Sequence, residues 1–281
     1  MATISMVITS YNRAKQQWAV WQPLPRLAAA LPLLACLLTS PGLAQSIRSN
    51  GDSTGTVVTV EGNRYNISGG SLSGDGHNLF QSFRDFNLNP NEIANFLSTP
   101  AIQNILGRVN GGNPSIINGL IQVTGSNANL YLLNPSGIIF GSNAALNVPA
   151  AFTATTANGI GFGGNNWFSA TGNNPYSLLN GAPTSFAFSA TNPGSIINVG
   201  HLAVGVDQSL NLIAGSVINT GSLTAPGGQI TVVAVPGEQV LRLSQPGSLL
   251  SLEIQPLASS STQPQNWQLP IASLPQLLTG G

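Results

Sequence analysis

The chain has 281 residues, of which 42% are hydrophobic and only 6% charged, with eight basic and eight acidic side chains. Beyond residue 44 the basic residues are five arginines (48, 64, 84, 108, 242), at least sixteen positions apart, and against eight acidic residues they leave a net charge of −3. Binding to phosphate backbones needs clustered cations that displace counterions, so this pattern argues against nucleic acid as a partner, and no apolar run in this region approaches the roughly eighteen residues of a membrane span.

Residues 1–44 read as an export signal: a polar, basic start (Arg13, Lys15, Arg26), an apolar stretch from Leu27 to Leu38, and Gly42-Leu43-Ala44 as the small-residue cleavage ending before Gln45. The apolar stretch reaches only about 18 Å at ~1.5 Å per residue, against a hydrocarbon core of about 30 Å. Leu33-Leu34-Ala35-Cys36 offers a second processing route, with Cys36 lipidated and retained, but the apolar Leu37-Leu38 directly after it favours cleavage at Ala44. Cys36 is the only cysteine, so cleavage at Ala44 leaves a mature chain without disulfide or thiolate chemistry.

From Thr56 onward short β-branched or aromatic runs alternate with Gly, Asn and Pro, and no helical apolar period persists for three turns. The class is all-β. Thr56 to Val60 and Tyr65 to Ile67 read as early strands, and Leu79 to Leu88 carries aromatic bulk suited to covering an exposed end, so residues 45–110 are expected to form a cap. Asn91 to Leu106 is the one segment suited to a short helix, which Pro100 would break.

An internal repeat decides the architecture. Ser195-Ile196-Ile197-Asn198-Val199-Gly200-His201-Leu202 matches Ser216-Val217-Ile218-Asn219-Thr220-Gly221-Ser222-Leu223 at five of eight positions, 21 residues on, and Ser115 to Leu120 is a weaker third copy. A unit of that length built from Val, Ile and Thr predicts stacked rungs of strands, each contacting only its neighbours. Leu210 to Ile213 and Ile230 to Val235 supply one further strand per rung. Leucine-rich repeats lack their signature here, and a β-sandwich is the competing architecture. After Ile254 a Pro/Ser/Gln-rich stretch over residues 256–281 reads as a linker or a truncated continuation.

Catalytic constellations are missing from the pattern, and the chain is not expected to be an enzyme or to carry a cofactor or metal. The mature chain has no Lys; Asp52, Asp75, Asp85 and Asp207 form no calcium cluster in sequence, and Glu61, Glu92, Glu238 and Glu253 are isolated. Gly69 to Gly76 resembles one calcium-binding Gly/Asp nonapeptide, but as a single copy it reads as a turn. His77 and His201 stand without partners at metal-ligand spacing. Trp167-Phe168, within Gly163 to Ser169, is a candidate ligand loop for a glycan or host partner, against the simpler reading of a loop aromatic tucked over the solenoid.

One segment is more specific: Gly111-Gly112-Asn113-Pro114-Ser115-Ile116-Ile117-Asn118-Gly119-Leu120, followed by Ala128 to Gly141 with Asn134-Pro135-Ser136-Gly137-Ile138 inside it. It resembles the two-partner secretion domain of the filamentous-haemagglutinin type, whose export module carries an Asn-Pro-Asn-Gly-Ile motif; Ser136 stands for the second Asn. The flanks are similar too, in Phe83 to Leu88 and in Ala144 to Asn158. Asn89-Pro90-Asn91-Glu92 lacks the Leu of the family's companion motif. The resemblance spans roughly residues 45–255. It implies a right-handed parallel β-helix, or solenoid, with an amino-terminal β cap and extra-helical strands. It also implies that the chain is the secretion module of an adhesin or haemagglutinin-like exoprotein, with Asn134 to Ile138 as the recognition motif. In that reading the module crosses the periplasm, is recognised by an outer-membrane barrel transporter, and folds outside as a secreted or cell-surface protein. A stand-alone surface protein that binds carbohydrate is the alternative. From the residues alone, Pro135 fixes one backbone angle and Gly137 frees another, so Asn134 to Ile138 turns the chain whether or not it is recognised.

Overall fold

A computed structural model of the chain describes residues 46–235, 237–242 and 253–256; apart from a 3-10 turn at Tyr176–Leu178, every regular element among them is a β-strand. The export signal, Cys36, the Ala44–Gln45 junction and the segment after Pro256 lie outside the described residues.

The strands stack in columns, one residue type over another, because each is too short and too apolar on one side to stand alone. The longest sheet runs through Ile47–Ser49, Asn78–Phe86, Asn104–Val109, Asn129–Leu133, Phe152–Thr155, Leu210–Ala214 and Ile230–Ala234. Ile47–Ser49 joins antiparallel, and each later neighbour on this path pairs in parallel. A second face stacks Arg64–Gly69, Ile93–Leu97, Leu120–Thr124 and Ala145–Asn147, with Thr56–Glu61 folded back on it as a hairpin, and His201–Ala203 and Ser222–Thr224 continue it. A third face stacks Ser115–Ile117, Ile138–Phe140, Ser195–Asn198 and Ser216–Asn219. One circuit through the three faces is a rung, and about six circuits make a β-solenoid.

Alternation along each strand sends every second side chain inward. In the long sheet the inward column reads Leu79, Ile105, Leu130, Phe152 and Leu210 from rung to rung, with Ile230 stacked above Leu210 but exposed. Phe83, Phe86 and Phe96 meet inside the first two rungs, and Phe140 meets Phe152 edge to face further on, with centroids 6.2 Å apart. At about 3–5 kcal/mol per large aromatic truncated to Ala, these rings dominate the inner core.

The 21-residue repeat is the pairing register itself: Ser195 to Asn198 face Ser216 to Asn219 one for one, and His201 to Ala203 face Ser222 to Thr224. The weaker copy at Ser115 lies one residue out of step. Through Ile138, Ser115 stacks in the column of Ile196, so Ile116 points outward where its sequence match Ile196 is buried. A slip of one residue exchanges the faces of a strand, which sequence matching alone does not weigh.

The outer side of the long sheet is also covered. Between Thr155 and Ser195 the chain leaves the solenoid and builds an antiparallel side sheet from Gly159–Gly161, Trp167–Ser169 and Ser185–Phe188, extended by Gln239–Arg242 and Glu253–Pro256. A second apolar core fills the space between the two, with Phe80, Leu106, Leu133 and Ile213 from the solenoid against Ile160, Phe168, Phe186 and Leu241 from the side sheet. Phe80 packs against Phe168 at 5.0 Å and Tyr176 at 5.2 Å. Burial on both faces explains why Asn104–Val109 reads as a continuous run instead of alternating.

Two expectations change in detail. Asn91 to Leu106 holds no helix: Ile93–Leu97 and Asn104–Val109 are strands, because ladders to the rungs on either side satisfy their backbones better than a four-turn helix interrupted by Pro100. Parallel stacking also begins inside the 45–110 segment, at Arg64–Gly69 against Ile93–Leu97.

Candidate functional site

The Asn-Pro motif lies where the long sheet turns into the third face. Leu133 closes one strand, Ile138 opens the next, and Asn134 to Gly137 is the turn between them, closed by the Gly137 amide donating to the Asn134 carbonyl at 3.1 Å. The Asn134 side chain is fully buried and fully used. Its Oδ1 accepts from the Ser136 amide at 3.0 Å, and its Nδ2 donates to the Asn113 carbonyl and to Ser115 Oγ, each at 3.0 Å. The Asn134 amide donates to the Thr155 carbonyl of the next rung at 3.0 Å. One residue thereby joins three successive rungs, which a buried amide achieves because it has two donors and an acceptor in a fixed plane.

Space fixes the rest of the motif. Gly137 has φ +119, outside the range that side chains favour, and its carbonyl accepts from the Ser115 amide at 3.0 Å. Gly194, in the turn stacked on the motif, passes so close that an added Cβ would stand 2.4 Å from the Pro135 carbonyl oxygen. Ile138 is buried in the solenoid core. Only Pro135 and Ser136 reach solvent, and each is half-buried.

Beside the motif a groove of about 600 Å³ opens between the first rungs and the third face, lined by Asp85, Leu88, Pro90, Pro114, Ile116 and Ile139 among others. Asn89-Pro90 and Asn113-Pro114 both border it. Asn89 to Glu92, the Asn-Pro-Asn-Glu stretch, forms a turn: the Glu92 amide donates to the Asn89 carbonyl, and Asn91 has φ +67. Burial works against the charge on Glu92, but hydrogen bonds from Asn89, Ser46 and Tyr65 outweigh it and hold the carboxyl below its ordinary range. The partners Asn113 and Ser115 lie about twenty positions before the motif, and only the rung period signals them.

The other sequence candidates are placed as follows. Trp167 and Phe168 stand in a strand, not a loop, and point opposite ways: Phe168 is fully buried in the second core, whereas Trp167 is half-buried with its ring over Gly159 and Gly161 of the adjacent strand. Asp75 ends in a turn, accepting from the Gly181 amide at 2.8 Å and from the His77 amide. Burial opposes its charge, yet these bonds and one from Ser73 keep its carboxyl below the usual range. His201 Nδ1 is 2.7 Å from Ser222 Oγ, the residue it matches in the repeat. Among the described residues no group of three or more His, Cys, Asp or Glu side chains converges to hold a metal ion, and no helix is long and apolar enough to cross a membrane.

A polar cluster that sequence reading missed surrounds Arg108, only 2% exposed. Nη2 donates to Asp52 Oδ2 at 2.9 Å, Nε to Ser82 Oγ at 3.1 Å, and Nη1 to the carbonyls of Ser169 and Gly172 at 3.0 and 2.8 Å. The guanidinium also lies 5.9 Å from the centre of the Phe168 ring. Burial works to raise Asp52, but hydrogen bonds from Ser82, Asn50 and Thr54 prevail and hold it far below the ordinary carboxylate range. No signal short of the rung register brings Asp52, Arg108 and Gly172 together.

Together these features define a parallel β-solenoid with an antiparallel side sheet and an Asn-Pro turn stitched between rungs. The description "TPS secretion domain" matches residues 44–267, and the chain belongs to that family. It is thus a secretion module of the two-partner type. Among solved structures it is similar to the crystal structure of the HMW1 secretion domain from Haemophilus influenzae, with 24% identity, a TM-score of 0.51, and coverage of 73% of this chain and 47% of that one. The chain spans less than half of that structure, and the likeness concerns the fold alone. No curated protein matches the chain.

Proposed function

We propose that the chain is the amino-terminal secretion module of an adhesin or haemagglutinin-like exoprotein, which its barrel transporter recognises while the chain is still extended in the periplasm. The observation that carries this is the burial of the motif: Asn134, Gly137 and Ile138 are inaccessible once the rungs have stacked. A transporter that reads Asn134 to Ile138 as a motif must therefore read it before folding, and stacking outside the membrane then removes the motif from its reader. The absence of cysteine beyond Cys36 supports the same order, because no disulfide can lock the chain in an oxidising compartment. Rung-on-rung growth, in which each rung needs only its predecessor, suits folding from the end that emerges first.

The test is export of residues 1–281 into the medium with and without the candidate transporter, for the natural sequence and for Asn134→Ala. The expected result is transporter-dependent export, reduced in Asn134→Ala even where the purified variant refolds. Export that ignores the transporter would overturn this reading.

A second reading, binding of a surface glycan or host ligand, rests on Trp167. Its indole lies against a glycine-paved strand and is half-buried, and an indole of that kind can stack on a sugar ring. A glycan array on refolded protein, with Trp167→Ala as control, separates the two.

A further inference from the structure

The segment joining Trp167–Ser169 to Ser185–Phe188 touches the amino-terminal cap at positions about a hundred residues distant in sequence, and the contacts are polar and specific. Asn78 Nδ2 donates to the Leu179 and Gly181 carbonyls, both at 2.8 Å. Asp75 Oδ2 accepts from the Gly181 amide, and the Asp75 amide donates to Asn180 Oδ1 at 3.0 Å. Thr54 Oγ1 meets the Tyr176 hydroxyl. Gly74 packs so tightly that a Cβ there would lie 2.5 Å from the Ser177 carbonyl oxygen. At the centre, Arg108 takes Asp52 and Ser82 from the cap side and the Ser169 and Gly172 carbonyls from the insertion.

These bonds depend on one another through solvent. Without residues 169–181 seated, the Arg108–Asp52 pair would face water, where an ion pair contributes little. With them seated, the guanidinium is desolvated and all of its partners become costly to lose. The pair that holds the Asn50 to Gly55 loop thus gains its strength only when the insertion closes over it. The inward side chains of the rungs, Ile105, Leu130 and Phe152 among them, pack on the other side of the long sheet, although Leu106 and Leu133 of the same strands share the second core with the insertion.

We propose that the insertion between Thr155 and Ser195 is a latch on the amino-terminal cap, with Arg108 as the residue that couples them, so that cap and insertion open and close as one unit distinct from the inner rungs. In a chain that folds from its amino terminus, the cap would then stay unlocked until residues 169–181 arrive.

Native-state hydrogen exchange on residues 45–281 tests this, comparing the natural sequence with Arg108→Met and, separately, Asp75→Ala. In Arg108→Met, amides of residues 50–55 and 169–181 should exchange about a hundredfold faster, in step, while those of 121–123 and 138–140, whose strands carry no residue of the second core, keep their rates. Asp75→Ala removes the side-chain bond to the Gly181 amide, together with local bonds to Ser73 and the His77 amide, and leaves the backbone bond to Asn180, so acceleration at residues 50–55, which Asp75 does not touch, would report the coupling directly. The proposal is overturned if the two segments loosen independently in either variant, or if the inner strands loosen to the same extent. Should Arg108→Met fail to fold, Asp75→Ala alone decides, because unchanged exchange at residues 50–55 in that variant refutes the latch.

Discussion

Replacing Asn134 by Ala removes one hydrogen bond within the motif turn and two to the rung below, while leaving the backbone bonds of residue 134 in place. Each bond contributes about 0.5–1.5 kcal/mol net, and a buried partner left unsatisfied costs about 1–3 kcal/mol. Ser115, only 1% exposed, is such a partner. The three lost bonds and the stranded hydroxyl together amount to about 2.5–7.5 kcal/mol, large against the stability of an ordinary domain. Guanidinium unfolding of refolded residues 45–281, followed by tryptophan fluorescence, should show the midpoint fall at unchanged slope. Asn134→Ser, which retains a short polar group able to accept from the Ser136 amide, should recover about 1 kcal/mol of the loss. A shift below about 0.5 kcal/mol would mean that the side chain does not hold the rungs together, and the motif would then be maintained for recognition alone.

Four further outcomes follow from the same geometry. Gly194→Ala should destabilise by about 2 kcal/mol or more in the same unfolding assay, because its Cβ would be 2.4 Å from the Pro135 carbonyl, a backbone atom with nowhere to move. The outward and inward residues of one strand should separate cleanly: Ile116→Asn, at a 55% exposed position, should stay within about 0.5 kcal/mol of the natural sequence, whereas Ile117→Ala should cost about 2–5 kcal/mol. At high pH, burial pushes the Tyr131 phenol up to about 12, so the neutral form is favoured in the folded state; the folded pKa lies above the unfolded value of about 10, and stability should decline as pH rises from there towards 12. Tyr131→Phe should flatten that decline in a series of melts. Asp52 has the opposite sign: its stabilising contribution is present above about pH 4 and is lost as pH falls towards its depressed folded value, a trend that Asp52→Asn should remove.

Much of the fold was legible because a solenoid is nearly one-dimensional: a repeat along the chain is a repeat in space. The match between Ser195 and Ser216 became the actual pairing, and Thr56 to Val60 and Tyr65 to Ile67 became strands. The motif was legible as a turn for the same local reason, since Pro135 and Gly137 restrict the backbone whatever surrounds them. The side sheet was foreseen only as the extra-helical strands that the family resemblance implies. It is antiparallel, irregular in spacing, and assembled from pieces that include Gly159–Gly161 and Gln239–Arg242, so no period announces it.

The sequence by itself determined the strand class, the rung length and the place of the Asn-Pro turn, because alternation, repeat spacing and proline geometry act over a few residues. Tertiary structure alone decided which face each side chain took and which distant groups met. Phe80 and Phe83 are three residues apart in one strand yet enter two different cores. Asn134, a polar residue in a turn that would ordinarily be exposed, is buried because its own turn and the rungs above and below together satisfy its polar atoms. Arg108 is buried for a similar reason, held by residues 56 positions before it and 64 after it. Such placements depend on desolvation by parts of the chain far away in sequence, and burial of that kind leaves no local trace.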